Sequence, residues 1–184
     1  MGLNIGGSGS SKAYVKFNAK ADKWFVRGTD GKDAEIARPN FLVDFDNVAT
    51  SLAEAASLCG MEVVVSCPPG YERDVAGAAI VHDPADAVAD AHAVYTDVWV
   101  SMGDEAEAEQ RLRDMAPYQV NEELLARARP YAVFMHCLPA HRGQEVTAEV
   151  IDGPRSLVWP QAENRLPTEE DVLYALVKIG RAHV

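Results

Sequence analysis

A chain of 184 residues with 48% hydrophobic content is long enough to bury one core of ordinary size, and its formal charge of −11 marks it as acidic. The charge is unevenly divided: residues 1–46 carry 7 Lys/Arg and 6 Asp/Glu, a sum of +1, whereas residues 47–184 carry 10 and 22, a sum of −12. Such acidity argues against nucleic acid as a partner of the larger part. The absence of a membrane-length apolar run, and of any Cys-x-x-Cys pair among three cysteines, argues against a membrane span and a disulfide or zinc scaffold, leaving the cytoplasm as the expected setting.

Residues 1–12 are rich in Gly and Ser and read as a flexible leader. Lys12 lies between Ser11 and Ala13, whereas a phosphate loop needs Gly before the lysine and Ser or Thr after it. Residues 13–40 carry short aromatic and β-branched runs, Tyr14-Val15-Lys16-Phe17 and Trp24-Phe25-Val26-Arg27, with turn-formers between them, and read as a β-hairpin-like segment of unrelated origin. Lys16, Lys20, Lys23 and Arg27 interleave with those aromatics, a pattern that suits stacking on single-stranded nucleic acid. The plainer reading is a hairpin that packs its aromatics against the rest of the chain.

After Pro39 strand and helix signals alternate. Residues 41–45 form a short apolar strand, followed by a helix over 48–58 with Val48, Leu52, Ala55 and Ala56 on one face, stopped by Gly60. Strands follow over 61–66 and 80–82, then a helix over 83–91 with Pro84 in its first turn after an Asp83 cap. A strand over 93–99, helices over 104–115 and 121–128, a strand over 132–138 and a helix over 163–177 complete the series. The acidic run 104–109 suits the start of its helix. The fold class this predicts is α/β: a parallel, Rossmann-like three-layer sheet with helices on both faces, preceded by the β-hairpin-like segment. Residues 179–184 read as a foreign tail, of the kind a misassembled reading frame encodes.

Two strands run directly into polar loops. Phe134-Met135-His136-Cys137-Leu138-Pro139-Ala140-His141-Arg142-Gly143 sets a thiol, two imidazoles and a guanidinium just beyond an apolar run, and Tyr95-Thr96-Asp97-Val98-Trp99-Val100-Ser101-Met102-Gly103 does the same with a carboxylate and a hydroxyl. Open α/β sheets bind ligands beyond the C-terminal ends of their strands. These two motifs, with Asn47 to Val63, Tyr118-Gln119-Val120-Asn121 and Ala162-Glu163-Asn164-Arg165-Leu166 in the same order, resemble the ornithine-binding domain of ornithine carbamoyltransferases over residues 47–177. The domain is therefore placed at 41–178.

The resemblance implies transfer of the carbamoyl group of carbamoyl phosphate to the side-chain amine of L-ornithine, giving L-citrulline and phosphate, without redox cofactor or catalytic metal. It implies that Asn47, Asp97, Ser101 and Met102 grip the amino-acid end of ornithine, that Cys137 lies beside the reacting amine, and that Arg165 and the Leu138 carbonyl meet the carbamoyl group. Cys137 and Arg165 are thus the catalytic residues, with His136 and Pro139, the latter after a cis bond, shaping the loop. Arg165 and the substrate ammonium would both favour a thiolate at Cys137, which either takes the amine's proton or only orients the amine. Cys59 and Cys67 read as buried small hydrophobes, and His136, His141 and Cys137 as a cluster able to take zinc adventitiously.

Family members begin with a carbamoyl-phosphate domain carrying a Ser-Thr-Arg-Thr-Arg loop, and this sequence has no such loop. Where the family has Gly-Asp-Gly-Asn-Asn-Val, it reads Val43-Asp44-Phe45-Asp46-Asn47-Val48. The expectation is a half-enzyme, inactive alone and needing a supplied carbamoyl-phosphate domain, with the family's homotrimer in doubt. The alternatives are a non-catalytic amino-acid-binding module, a transferase using another diamine such as putrescine, and a nucleic-acid-binding N-terminal element carrying an acidic passenger.

Overall fold

The computed structural model describes residues 14–18, 23–27, 33–36, 47–72, 75, 77–100 and 108–181. The expected leader, the strand at 41–45, the Ser101-Met102-Gly103 loop and residues 182–184 lie outside them, as do the side chains of residues 14–36. Three strands occupy the N-terminal segment: β1 (Tyr14–Asn18), β2 (Lys23–Arg27) and β3 (Asp33–Ile36). They form an antiparallel meander in the order β1-β2-β3, with Lys16 opposite Phe25 and Phe25 opposite Glu35. The segment, expected as one hairpin or two, is two consecutive hairpins.

The body alternates strand and helix as the sequence predicts. Helix α1 (Asn47–Leu58) is followed by β4 (Val63–Ser66), β5 (Ala78–Val81), α2 (Pro84–Val88), β6 (Ala93–Thr96), α3 (Ala108–Met115), α4 (Glu122–Arg127) and β7 (Val133–His136). Helices α5 (Ala148–Ile151), α6 (Val158–Glu163) and α7 (Arg165–Arg181) close the chain. The expected helix over 163–177 is thus divided at Asn164, and it continues through Ile179, Gly180 and Arg181, so half of the supposed foreign tail is helical.

Local chemistry explains the boundaries. Gly60 has a φ of +67°, the Met61 N–H returns to the Ala56 carbonyl at 2.9 Å and the Gly60 N–H to Ser57 at 3.1 Å. These bonds satisfy carbonyls that the last turn of α1 leaves open, and glycine takes that backbone conformation without a Cβ penalty. Asp83 caps α2 by accepting from the Ala85 N–H at 2.8 Å, with Pro84 next to it, and Asn121 caps α4 by accepting from Leu124 at 2.9 Å.

Two parallel pairs, β4 with β5 and β6 with β7, make up the described ladders of the body. Their side chains alternate between two cores, as period-two strands covered on both faces require. Val63, Val65, Ala93, Tyr95 and Val133 join Ala49, Ala53 and Ala56 of α1 on one face. Val94 and Phe134 join Val88, Leu124, Leu125, Ile151 and Val158 of α2, α4, α5 and α6 on the other. Helices therefore cover both faces, giving the three-layer α/β arrangement that was expected. The buried stripe of α1 runs through Ala49, Ala53 and Ala56, while Ala55, assigned to it from sequence, is exposed. No described helix is long and apolar enough to cross a membrane.

Candidate active site

The register of β6 and β7 builds the centre of the site. Thr96 pairs with His136, so the next residue on each strand, Asp97 and Cys137, emerges at the same C-terminal edge. A carboxylate oxygen of Asp97, a ring nitrogen of His136 and the Cys137 sulfur all lie within 4.8 Å of one another. Asp97 is buried, and its Oδ1 accepts from the Val98 N–H at 2.7 Å, which fixes the carboxylate at the strand end.

Cys137 is half-buried and forms no disulfide. Burial, with the hydrogen bond to Asp97 and that residue's charge, pushes its pKa up to about 12. This direction is opposite to the one that Arg165 and a bound ammonium would give. Arg165 lines the same cavity, but desolvation and the adjacent carboxylate dominate the thiol's surroundings.

His136 is a structural hinge of the loop. Its ring is fully enclosed; Nδ1 accepts from the Leu138 N–H at 2.8 Å, and Nε2 faces Oε1 of Glu145 at 3.4 Å. Glu145, 0% exposed, also accepts from the His141 N–H, tying both ends of the loop to one buried carboxylate. Leu138 adopts a φ of +60°, which costs about 1 kcal/mol for a residue with a Cβ, and the His136 ring holds its N–H in place. The Leu138–Pro139 peptide is cis, as expected.

Behind Cys137, Gln161 of α6 bridges the strands, accepting from the His136 N–H at 3.2 Å and donating to the Tyr95 hydroxyl at 3.1 Å. Burial, the neighbouring thiol and Asp97 raise the Tyr95 pKa above the ordinary phenol value. Asp97, His136 and Cys137 have the spacing of a metal cluster among the described residues, and Nδ1 of His136 accepts from the Leu138 N–H. His141 is exposed, with its Nδ1 3.9 Å from Glu145, so it turns to that carboxylate rather than joining Cys137.

Arg165 stands apart in character. It opens α7, its side chain is 74% exposed, and its nearest carboxylate is Glu169 at 3.8 Å. It nevertheless lines a cavity of about 500 Å³ together with Cys137, Leu138, Pro139, Arg142 and Trp159. The structure thus brings Asp97, His136, Cys137, Leu138, Pro139 and Arg165 to one end of the fold. Asn47 opens α1, but its side chain, like Ser101 and Met102, lies outside the described residues. Tyr95, Glu145 and Gln161 were not picked out from sequence. Tyr95 had a signal, since it shares a strand face with Asp97 two residues on.

Residues 39–176 match the model of the aspartate/ornithine carbamoyltransferase Asp/Orn-binding domain. The chain is 52% identical over 151 residues to an ornithine carbamoyltransferase of Methanothermobacter thermautotrophicus, covering 74% of this chain and 50% of that one. With the enzyme of Thermus thermophilus the identity is 54% over 140 residues, covering 73% and 46%. The solved ornithine carbamoyltransferase of Pyrococcus furiosus superposes with a TM-score of 0.68 at 49% identity, covering 74% of this chain and 48% of that one. The chain therefore spans about half the length of the curated relatives it matches. It belongs to the aspartate/ornithine carbamoyltransferase family, and residues 39–176 are its Asp/Orn-binding domain.

Proposed function

We propose that this chain provides the L-ornithine-binding half of an ornithine carbamoyltransferase, the cytoplasmic reaction that converts carbamoyl phosphate and L-ornithine to L-citrulline and phosphate. The observation that carries the reading is the pairing of β6 with β7, which sets a buried carboxylate and a half-buried thiol side by side at the edge where this fold takes ligands.

The chemistry fits those groups. The side-chain amine of ornithine must lose a proton before its nitrogen attacks the carbamoyl carbon; the new C–N bond forms as the C–O bond to phosphate breaks. Asp97 is the charge partner of the bound ammonium, with Asn47, Ser101 and Met102 completing the grip on the amino-acid end. A neutral Cys137 beside the reacting nitrogen orients the amine through its sulfur. Arg165 and the Leu138 carbonyl address the carbamoyl oxygen and amide, and a fixed guanidinium at developing negative charge contributes on the order of 3 kcal/mol. His136 and Pro139 hold the loop that presents Cys137 and Leu138.

Carbamoyl phosphate enters the reaction only with the part of the relatives that this chain does not match. Bringing two reactants together contributes about 7–11 kcal/mol to such reactions, so the 184-residue chain by itself is expected to form no citrulline. Titration calorimetry with L-ornithine and with putrescine tests the substrate class: ornithine is expected to bind and putrescine, which lacks the α-amino-acid end, to bind far more weakly. Equal affinities would overturn the assignment in favour of a diamine site. A dead pocket, with heat from neither, would remove the binding function altogether.

A further inference from the structure

The hydrogen bonds behind Cys137 have a direction that donor chemistry alone fixes. A backbone N–H can only donate, so the Gln161 atom 3.2 Å from the His136 nitrogen is the amide oxygen. The amide nitrogen then faces Tyr95 and donates to its hydroxyl oxygen at 3.1 Å. Tyr95 is only 5% exposed, and its own hydroxyl proton needs an acceptor inside the protein. Cys137 packs against the core cluster that contains Tyr95, which makes its sulfur the neighbouring acceptor. On its other side the thiol faces Asp97, whose carboxylate oxygen, an acceptor, lies within 4.8 Å of the sulfur.

We propose that Tyr95 and Gln161 are positioning residues for Cys137. Together they fix a one-way chain of donors, from the His136 N–H to Gln161, from Gln161 to Tyr95, from Tyr95 to Cys137 and from Cys137 to Asp97. The chain aims the thiol proton at Asp97 and keeps a hydroxyl donor on the sulfur. Gln161 acts through Tyr95: without its N–H the phenol is free to turn, and the sulfur loses its donor.

The two neighbours of the thiol oppose each other. A hydroxyl that donates to sulfur stabilises the thiolate, while an adjacent carboxylate destabilises it. Removing one or the other therefore moves thiol reactivity in opposite directions, which a general loosening of the fold would not do. The importance of this chain to substrate rests on the ornithine reading above; the chain itself does not.

The test is the rate at which iodoacetamide alkylates Cys137 in the full chain between pH 7 and 9.5, followed by peptide mass spectrometry, with thermal melting to confirm folding. Tyr95→Phe is expected to slow alkylation about fivefold at each pH, the worth of one hydrogen bond to the sulfur, and Gln161→Met to slow it less. Asp97→Asn is expected to speed it. In the Tyr95→Phe background, Gln161→Met should have no further effect, because the two residues act in series. Unchanged or faster alkylation in folded Tyr95→Phe would overturn the proposal, as would an equal effect of Gln161→Met with and without Tyr95. If Tyr95→Phe does not fold, slowing in Gln161→Met with speeding in Asp97→Asn supports the proposal, and an unshifted or faster Gln161→Met overturns it. No ornithine is present, so either outcome leaves the substrate assignment to its own experiment.

Discussion

The two ends of the candidate site are built differently. At the ends of β6 and β7, Asp97, His136 and Glu145 are buried and fixed by backbone N–H groups and by one another. At the start of α7, Arg165 is mostly exposed with one distant carboxylate for company, and Leu166, Leu173, Leu176 and Val177 on the same helix are 65%, 63%, 61% and 58% exposed. Groups that must be held in place within this domain are held by a buried network. The group assigned to the second reactant is not, and its geometry in this chain rests on surface contacts, which contribute little.

The largest effect expected from that contrast is on stability. Phe134→Ala empties a wholly enclosed position behind β7 and should cost about 3–5 kcal/mol in urea unfolding, whereas Leu173→Ala on α7 should stay within about 0.5 kcal/mol. A comparable loss at Leu173 would show that α7 is buried in solution and break the comparison.

A smaller effect concerns pH. The Cys137 thiol has a folded pKa raised to about 12, against about 8.5 for a free cysteine. Its contribution to stability is fully present below the unfolded value and is lost as pH rises from there toward the folded value. Between pH 8 and 10 the unfolding midpoint of the wild type should therefore fall more than that of Cys137→Ala. Equal falls would mean that the thiol is not in the desolvated, carboxylate-facing position described above.

Much of the fold was legible because its punctuation is local. Asp83 with Pro84, Asn121 and Gly60 announce helix ends through side-chain caps and a left-handed turn, and the structure uses all three. The strands expected over 93–99 and 132–138 were legible as apolar runs, but the structure ends them earlier, at Thr96 and His136. The phase of α1 was not, since Ala49, Ala53, Ala55 and Ala56 are alike and only packing against Val63 and Val65 selects the face. Cys59 was expected in the core and is exposed, being the first residue beyond that helix. Helix α6 starts at Val158, after Leu157, without a side-chain cap, so nothing in the sequence marked it or the bridging role of Gln161. Glu145 follows Gly143 and Gln144 and reads as a solvated loop acid; its burial depends on His136 and His141, which reach it only after the loop closes. Sequence likewise shows which cations lie near Cys137, but not that burial and Asp97 push the thiol pKa up.

The proposal that Asp97 at the strand ends grips L-ornithine while Arg165 serves the other reactant meets its sharpest test in calorimetry of L-ornithine binding to the wild type, Asp97→Ala and Arg165→Ala. The wild type is expected to bind, Asp97→Ala to lose about 2–5 kcal/mol as the ammonium loses a desolvated partner, and Arg165→Ala, whose exposed surroundings leave little to disturb, to stay within about twofold of the wild type. Ornithine affinity unchanged by Asp97→Ala, or abolished by Arg165→Ala, would contradict it.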